Sequence, residues 1–298
     1  NTGYKAATEN ILVTNIEVIH RNNKQRKLGL PGQLGDSLHN LGLTTAIIGN
    51  SDRFDIIDRP GALVLMDSKG VVDRGHVENP GNFIASSFSS YWANYNLLHE
   101  QFKTIENSNI ILIEYGDLTR LEAMYSLLST ETYKDKRKTI LSQIDRSIQA
   151  IDTNLENPHA IRYVFSPSPS RNAYIPNALL TPLIIVKAEQ TGILTSHSTR
   201  REGIVLLTNL KNSILNCFTP SVKDPIYASP HTYSFEYLKN LNKRAVFSYA
   251  NQKWILTILV TTVVLLLLFT FYLLYRPKYR QSVETILAFI LTLPLALL

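Results

Sequence analysis

The stretch "TSHSTRREG", Thr195 to Gly203, places four hydroxyls, one imidazole and two guanidinium groups within a few residues of each other. A second hydroxyl run lies upstream in "SPSPS", Ser166 to Ser170. Guanidinium forks and hydroxyl donors together suit an anion, so Arg200, Arg201, Ser166 and Ser168 are the candidate anion-binding residues. The competing reading is that the arginines pair with surface carboxylates. Acid–base or metal chemistry has a thinner basis. The seven histidines are scattered, and none has an i, i+4 partner with an acidic residue between, the spacing that marks a zinc helix. No G-x-S-x-G elbow is present to expose a serine nucleophile. The one cysteine, Cys217, can form neither an internal disulfide nor a cysteine-based metal site and reads as a small buried hydrophobe in a helical run.

For such residues to meet, the chain must bring strand ends together. The pattern supplies them. "TTAIIG" and "NIILIEYGDL" are apolar runs of buried-strand type, the second ending at Glu114 and Asp117, where a parallel sheet carries its functional loops. "QLGDSLHNLGL" has Leu34, Leu38 and Leu41 at helical spacing and Gly42 to close the helix. "ILVTNIEVI" reads as a strand, and "ALVLMDSKGVV" as two short strands around a Ser-Lys-Gly turn. A long helix is expected over about Thr132 to Leu155, with Ile140, Ile144, Ile148 and Ile151 on one face and a basic start at Lys134, Lys136, Arg137 and Lys138. "IRYVFS" and "PLIIVKA" are further strands, and "LLTNLKNSIL" a helix capped by Thr208. The strand before Ser166 has to stop there, because each proline removes a backbone donor and keeps the residue before it out of the helical region. "GNSD", Asn50 to Asp52, ends another strand and reads as a turn or as part of a site. The alternation predicts an α/β domain with a mainly parallel sheet and helices on both faces, over residues 1–250.

Composition bounds what that domain does. The chain has 298 residues, 45% hydrophobic and 18% charged, and a net charge of +6. The basic residues are dispersed and no groove-reading motif accompanies them, so nucleic acid is excluded as the expected partner. The segment 254–274, "WILTILVTTVVLLLLFTFYLL", holds no charge. About 20 apolar residues at 1.5 Å each span a hydrocarbon core of about 30 Å, so this is the expected transmembrane helix and the bilayer the expected partner. Residues 275–282 form a short basic loop with Arg276, Lys278 and Arg280, and 283–298 begin a second span. Positive charge concentrates in short cytoplasmic loops, which places the large domain outside the cytoplasm and makes the protein multi-pass. The chain begins without methionine and ends inside an apolar run, which is read as a fragment.

Taken in order, "LGDSLHNLGLTTAIIGNSD", "IILIEYGDLTR", "VFSPSPS" and "LTPLIIVKAEQTGILTSHSTRREGIVLLTNLKNSIL" resemble the alkaline phosphatase superfamily over about Gly29 to Phe218. The pattern is most similar to bacterial membrane proteins whose outward domain has that fold and precedes several spans. The family holds divalent metals with Asp and His beside a Ser or Thr nucleophile. The metals stabilise charge on the phosphoryl oxygens. Here Ser166, Pro167 and Ser168 stand where the resemblance implies Asp-His. Asp117 matches a family Asp, but Arg120 falls in the region of its histidine partner, and Asn209 replaces the Asp of the last helix. His197 lies near a late histidine ligand. The resemblance therefore leaves Asp117 and His197 as the metal candidates and no confident catalytic residue. It implies a membrane-anchored domain that has lost metal catalysis, needs no cofactor, and binds, scaffolds or regulates at the cell envelope, with envelope proteins or an anionic ligand as partners. Two alternatives stay open. One is a metal-dependent phosphohydrolase or phosphotransferase whose first ligand and nucleophile lie upstream; the other is the accessory domain of a multi-span transporter or export component.

Overall fold

In the computed structural model the described residues are 4–5, 10–25, 29–53, 56–78, 83–85, 91–155, 157, 159–174, 179–188, 190–220 and 224–274. The chain divides into two compact units, one of Asn1–Arg162 with Val186–Ser229 and one of Tyr163–Ile185 with Pro230–Leu298.

The first unit opens with β1 (Tyr4–Lys5), β2 (Ile11–Leu12), α1 (Ile16–Gln25), α2 (Gln33–Asn40), β3 (Thr45–Asn50), α3 (Pro60–Leu65), β4 (Val71–Val72) and β5 (Arg74–His76). It continues through β6 (Phe83–Ala85), β7 (Tyr91–Ala93), α4 (Tyr95–Ile105), β8 (Ile110–Tyr115), α5 (Asp117–Ala123) and α6 (Thr130–Asn154). β9 (Arg162–Phe165), α7 (Arg171–Tyr174) and β10 (Leu183–Val186) then run largely in the second unit. β11 (Ile193–Ser196), α8 (Thr208–Asn216) and β12 (Ile226–Ser229) return to the first. α9 (Ser234–Leu274) belongs to the second.

The heart of the first unit is a parallel sheet in the order β5-β3-β8, paired Thr45 with Ile110 through Asn50 with Tyr115 on one side of β3, and Ala46 with Arg74 through Ile48 with His76 on the other. Side chains alternate across a strand, so β3 feeds two cores. Ile47 packs with Leu34, Leu38, Ala62 and Leu65 on one face; Ala46 and Ile48 pack with Leu98, Phe102, Ile105 and Ile151 on the other. Helices thus cover both faces, which is why the middle of β3, Ala46–Ile48, is apolar without interruption. Each fully buried isoleucine contributes about 1.5–3 kcal/mol relative to exposure. A third cluster, Leu121, Tyr133 and Ile140, joins α5 to α6.

The α/β reading holds for this central sheet, but "mainly parallel" does not extend to the other described strands. β1-β2-β4, β6-β7 and β11-β12 are small antiparallel sheets, and β9 pairs with β10 in a sheet of two. Four local expectations also need correcting. Pro60–Leu65 is a helix, not a strand, with proline at its first position, where a missing N–H costs nothing. The strand "ILVTNIEVI" stops at Leu12, because Asn15 takes a left-handed conformation with φ 63° and α1 begins at Ile16. Thr208 is the first residue of α8 rather than its cap, and no side chain caps that end. The long helix starts earlier, at Thr130, because Ser129 accepts from the Thr132 amide. The closure of α2 is as expected. With Gly42 at φ 72°, its amide donates to the His39 carbonyl and that of Leu43 to Leu38, a Schellman ending.

In the second unit, α9 runs unbroken for 41 residues, about 60 Å at 1.5 Å per residue, so the expected domain end at 250 falls inside a helix. It is long and apolar enough to cross a membrane, and almost none of its most apolar window is covered. The expected loop 275–282 and second span 283–298 lie outside the described residues.

Candidate functional site

The carboxyl ends of β3 and β8 lie side by side, the place where open α/β sheets hold ligands. Two glycines permit the approach. A Cβ on Gly116 would run into the Asn50 carbonyl, and one on Gly49, at φ 86°, into the Glu114 carbonyl. The polar side chains gathered there are Asn50, Ser51, Asp52, Arg59, Tyr95, Glu114, Asp117 and Arg120.

Arg120, 2% exposed, is the hub. Its Nη1 donates to Asp117 Oδ1 at 2.7 Å, its Nε to the Asp52 carbonyl at 2.8 Å, and its Nη2 to both the carbonyl and Oδ1 of Asn50 at 2.8 Å. Asp117, 1% exposed, also accepts from the Ala93 amide at 3.0 Å and the Tyr95 hydroxyl at 2.8 Å. Burial, then the Asp117 charge, raises the Tyr95 pKa, which keeps this phenol a donor. Asp52 accepts from Arg59 Nε at 3.0 Å and Nη2 at 2.8 Å, and from the Asp58 amide. Asn50 Oδ1 takes the Asp52 amide, while its Nδ2 donates to the Val77 carbonyl.

Beside this network, Glu114 accepts from the Ser51 hydroxyl at 2.5 Å and the Gly61 amide at 2.9 Å. Desolvation raises its pKa; those two hydrogen bonds oppose the shift. Both carboxylate–guanidinium pairs are neutralised within the protein, and strand β3 is tied to α5 through its own carbonyls. Asp117 is thus engaged through both oxygens, Oδ1 by Arg120 and the Ala93 amide and Oδ2 by the Tyr95 hydroxyl.

The remaining candidates lie elsewhere. His197 is exposed in the turn after β11 and rests on the Tyr227 ring, centroids 4.7 Å apart. The hydroxyls of Ser196, Ser198 and Thr199 bond one another; Ser198 also donates to Asn209 Oδ1 at 2.8 Å and Thr199 to the Ile204 carbonyl at 2.6 Å. Asn209 thus anchors this loop. Arg200 has φ 52°, and both Arg200 and Arg201 are exposed without a carboxylate partner among the described residues. Ser166 and Ser168 belong to the other compact unit, where the Ser166 hydroxyl donates to the Ser168 carbonyl at 2.8 Å. The expected anion pocket is therefore not assembled within either unit. Among the described residues no three or more His, Cys, Asp or Glu side chains are placed to hold a metal ion.

Sequence reasoning missed Arg59 and Tyr95. Asp117 and Arg120 sit three apart on one helix face, a visible ion-pair spacing. Their links to Asn50 and Asp52 span about 70 residues and leave no local signature. Comparison of the chain with family models, with curated proteins and with solved structures finds no match.

Proposed function

We propose that this chain is a membrane-anchored domain of phosphatase-like fold that has lost metal catalysis and serves a binding, scaffolding or regulatory role at the cell envelope. One observation carries the reading: the Asp that the resemblance assigns to a metal is bonded instead to a buried arginine, and it also accepts from Tyr95 and a backbone amide. Metal-assisted phosphoryl transfer needs an open coordination site beside a nucleophile, and here the strand ends are filled by side chains that satisfy each other. The apolar half of α9 supports the anchor.

The test is an assay of the full chain in detergent against nitrophenyl mono- and diesters with zinc, magnesium or manganese added. Turnover no higher than background is expected. Metal-dependent turnover that disappears with Asp117→Asn rejects the proposal in favour of the phosphohydrolase.

A further inference from the structure

The part of α9 that leads into the apolar run carries charge of one sign. Residues 234–253 hold Lys239, Lys243, Arg244 and Lys253 against the single acid Glu236, and no further acid occurs up to Leu274. All four cations are exposed, and none is paired with a carboxylate among the described residues. Aromatic rings stand among them. Phe247 is 67%, Tyr249 54% and Trp254 68% exposed, and Lys243, Phe247 and Trp254, four and seven residues apart, share one face of the helix. Cations interleaved with exposed aromatic rings at the mouth of a span have the character of a membrane-interface segment.

We propose that Lys253, Arg244 and Lys243 form a contact surface for the anionic headgroups of phospholipids around the point where α9 enters the bilayer. Trp254 opens the charge-free run and marks the edge of the hydrocarbon. A bilayer about 40–45 Å thick over a core of about 30 Å leaves roughly 5–8 Å of headgroups on each side. Lys253, next to Trp254, lies within that layer. Because α9 is unbroken, Arg244 and Lys243 are held about 15–17 Å from Trp254 along the axis. That is about one Debye length above the headgroups, where attraction is weakened but not lost. Lys239, at about 22 Å, is out of range. The guanidinium forks two oxygens of a phosphate, and each ammonium attracts it as a point charge. An acidic protein would answer the same charges, but the bilayer is already held at the end of the same helix. This inference rests on the membrane-anchor half of the proposed function, adds the charge of the lipid to it, and takes nothing from the phosphatase likeness.

Full-length protein with Trp92→Phe keeps Trp254 as its sole tryptophan. It is reconstituted in dilute salt into vesicles of phosphatidylcholine and phosphatidylglycerol, with one lipid or the other brominated high on its acyl chains. Quenching of Trp254 then gives the relative affinity for the two lipids. Phosphatidylglycerol is expected to be preferred by about 10–20-fold, since a cation at the surface is worth a factor of about five and one a Debye length away about two. Lys253→Gln should lower the preference about fivefold and Arg244→Gln or Lys243→Gln about twofold, while Lys239→Gln leaves it unchanged. Equal quenching by both lipids overturns the contact and leaves the cations to an acidic protein or to water. So does a preference that all four substitutions leave intact, or one that Lys239→Gln lowers as much as Lys253→Gln. Inorganic phosphate that removes the preference at constant ionic strength makes this a site for a free anion and overturns the bilayer contact as well. The two failures are separable. Equal quenching sinks this inference only; no quenching by either lipid puts Trp254 outside the bilayer and sinks the anchor with it.

Discussion

Replacing Arg120 by alanine removes a group that joins Asp117 to the end of β3. Asp117 would keep the Ala93 amide and the Tyr95 hydroxyl, but it would be a carboxylate 1% exposed without its cation. The carbonyls of Asn50 and Asp52 would each lose a donor as well. Breaking a buried ion pair by removing one partner costs about 3–5 kcal/mol, and that range already contains much of the carbonyl penalty. For a protein with total stability of about 5–15 kcal/mol this is a large fraction. At about 2–4 °C per kcal/mol for 150–250 residues, the unfolding midpoint should fall by about 6–20 °C. Thermal unfolding of the full chain in detergent, followed by near-ultraviolet circular dichroism, measures it. Arg120→Lys should recover less than half, since one ammonium cannot reach Asp117, Asn50 and Asp52 in a planar fork. Asp117→Leu combined with Arg120→Met should recover more, because an apolar pair leaves no orphaned charge. A site kept under strain for catalysis behaves oppositely, and its residues can be removed at a gain in stability. An Arg120→Ala protein within about 1 kcal/mol of the parent, or more stable than it, refutes the structural role assigned to the network.

Two more outcomes follow from the same geometry and from the basic residues Arg276, Lys278 and Arg280. Burial raises the Glu114 pKa, so its contribution to stability is fully present below the ordinary carboxylate value and declines as pH rises through the folded value. Glu114→Gln can still meet Gly61 and Ser51, and it should remove this slope: from pH 4 to 8 the parent loses stability relative to the variant in urea titrations, and an opposite trend refutes the assignment. For topology, Ser68→Cys should react with an impermeant maleimide in intact cells and Ser282→Cys should not, both in the Cys217→Ser background. Labelling of Ser282→Cys alone reverses the orientation.

What the sequence shows well is whatever a single period decides. β3 and β8 pack against helices on both faces and carry the apolar runs Ala46–Ile48 and Ile110–Ile113, and α6 carries isoleucines at helical spacing, so all three are visible. α9 is visible for the same reason, over Trp254 to Leu274. "ALVLM" was ambiguous, because a run of five apolar residues fits a buried strand or a buried helix equally. Pro60 and the close seating of Gly61 on the sheet decide for helix, and only the second of these requires the fold: a Cβ there would press on Ile47, Leu112 and Glu114. The strand ends were located correctly at Asn50–Asp52 and Glu114–Asp117. Their chemistry was not legible, because Arg120 draws its partners from β3 and α5 together.

That arrangement bears on where ligands can act. In an open α/β sheet the loops beyond adjacent strands diverge and leave a crevice. Here Gly49 and Gly116 bring β3 and β8 into backbone contact, and Arg120 then donates to carbonyls of the β3 end while gripping Asp117 on α5. A crevice at this point would require those hydrogen bonds to open together, since the guanidinium is planar and its donors share one orientation. Groups still able to meet a partner without that cost are on the surface, in the turn bearing His197, Arg200 and Arg201, whose hydroxyls hold the loop shape and leave both guanidinium groups exposed. At the β11 turn both guanidinium groups face solvent, whereas the Arg120 hydrogen bonds hold the ends of β3 and α5 together.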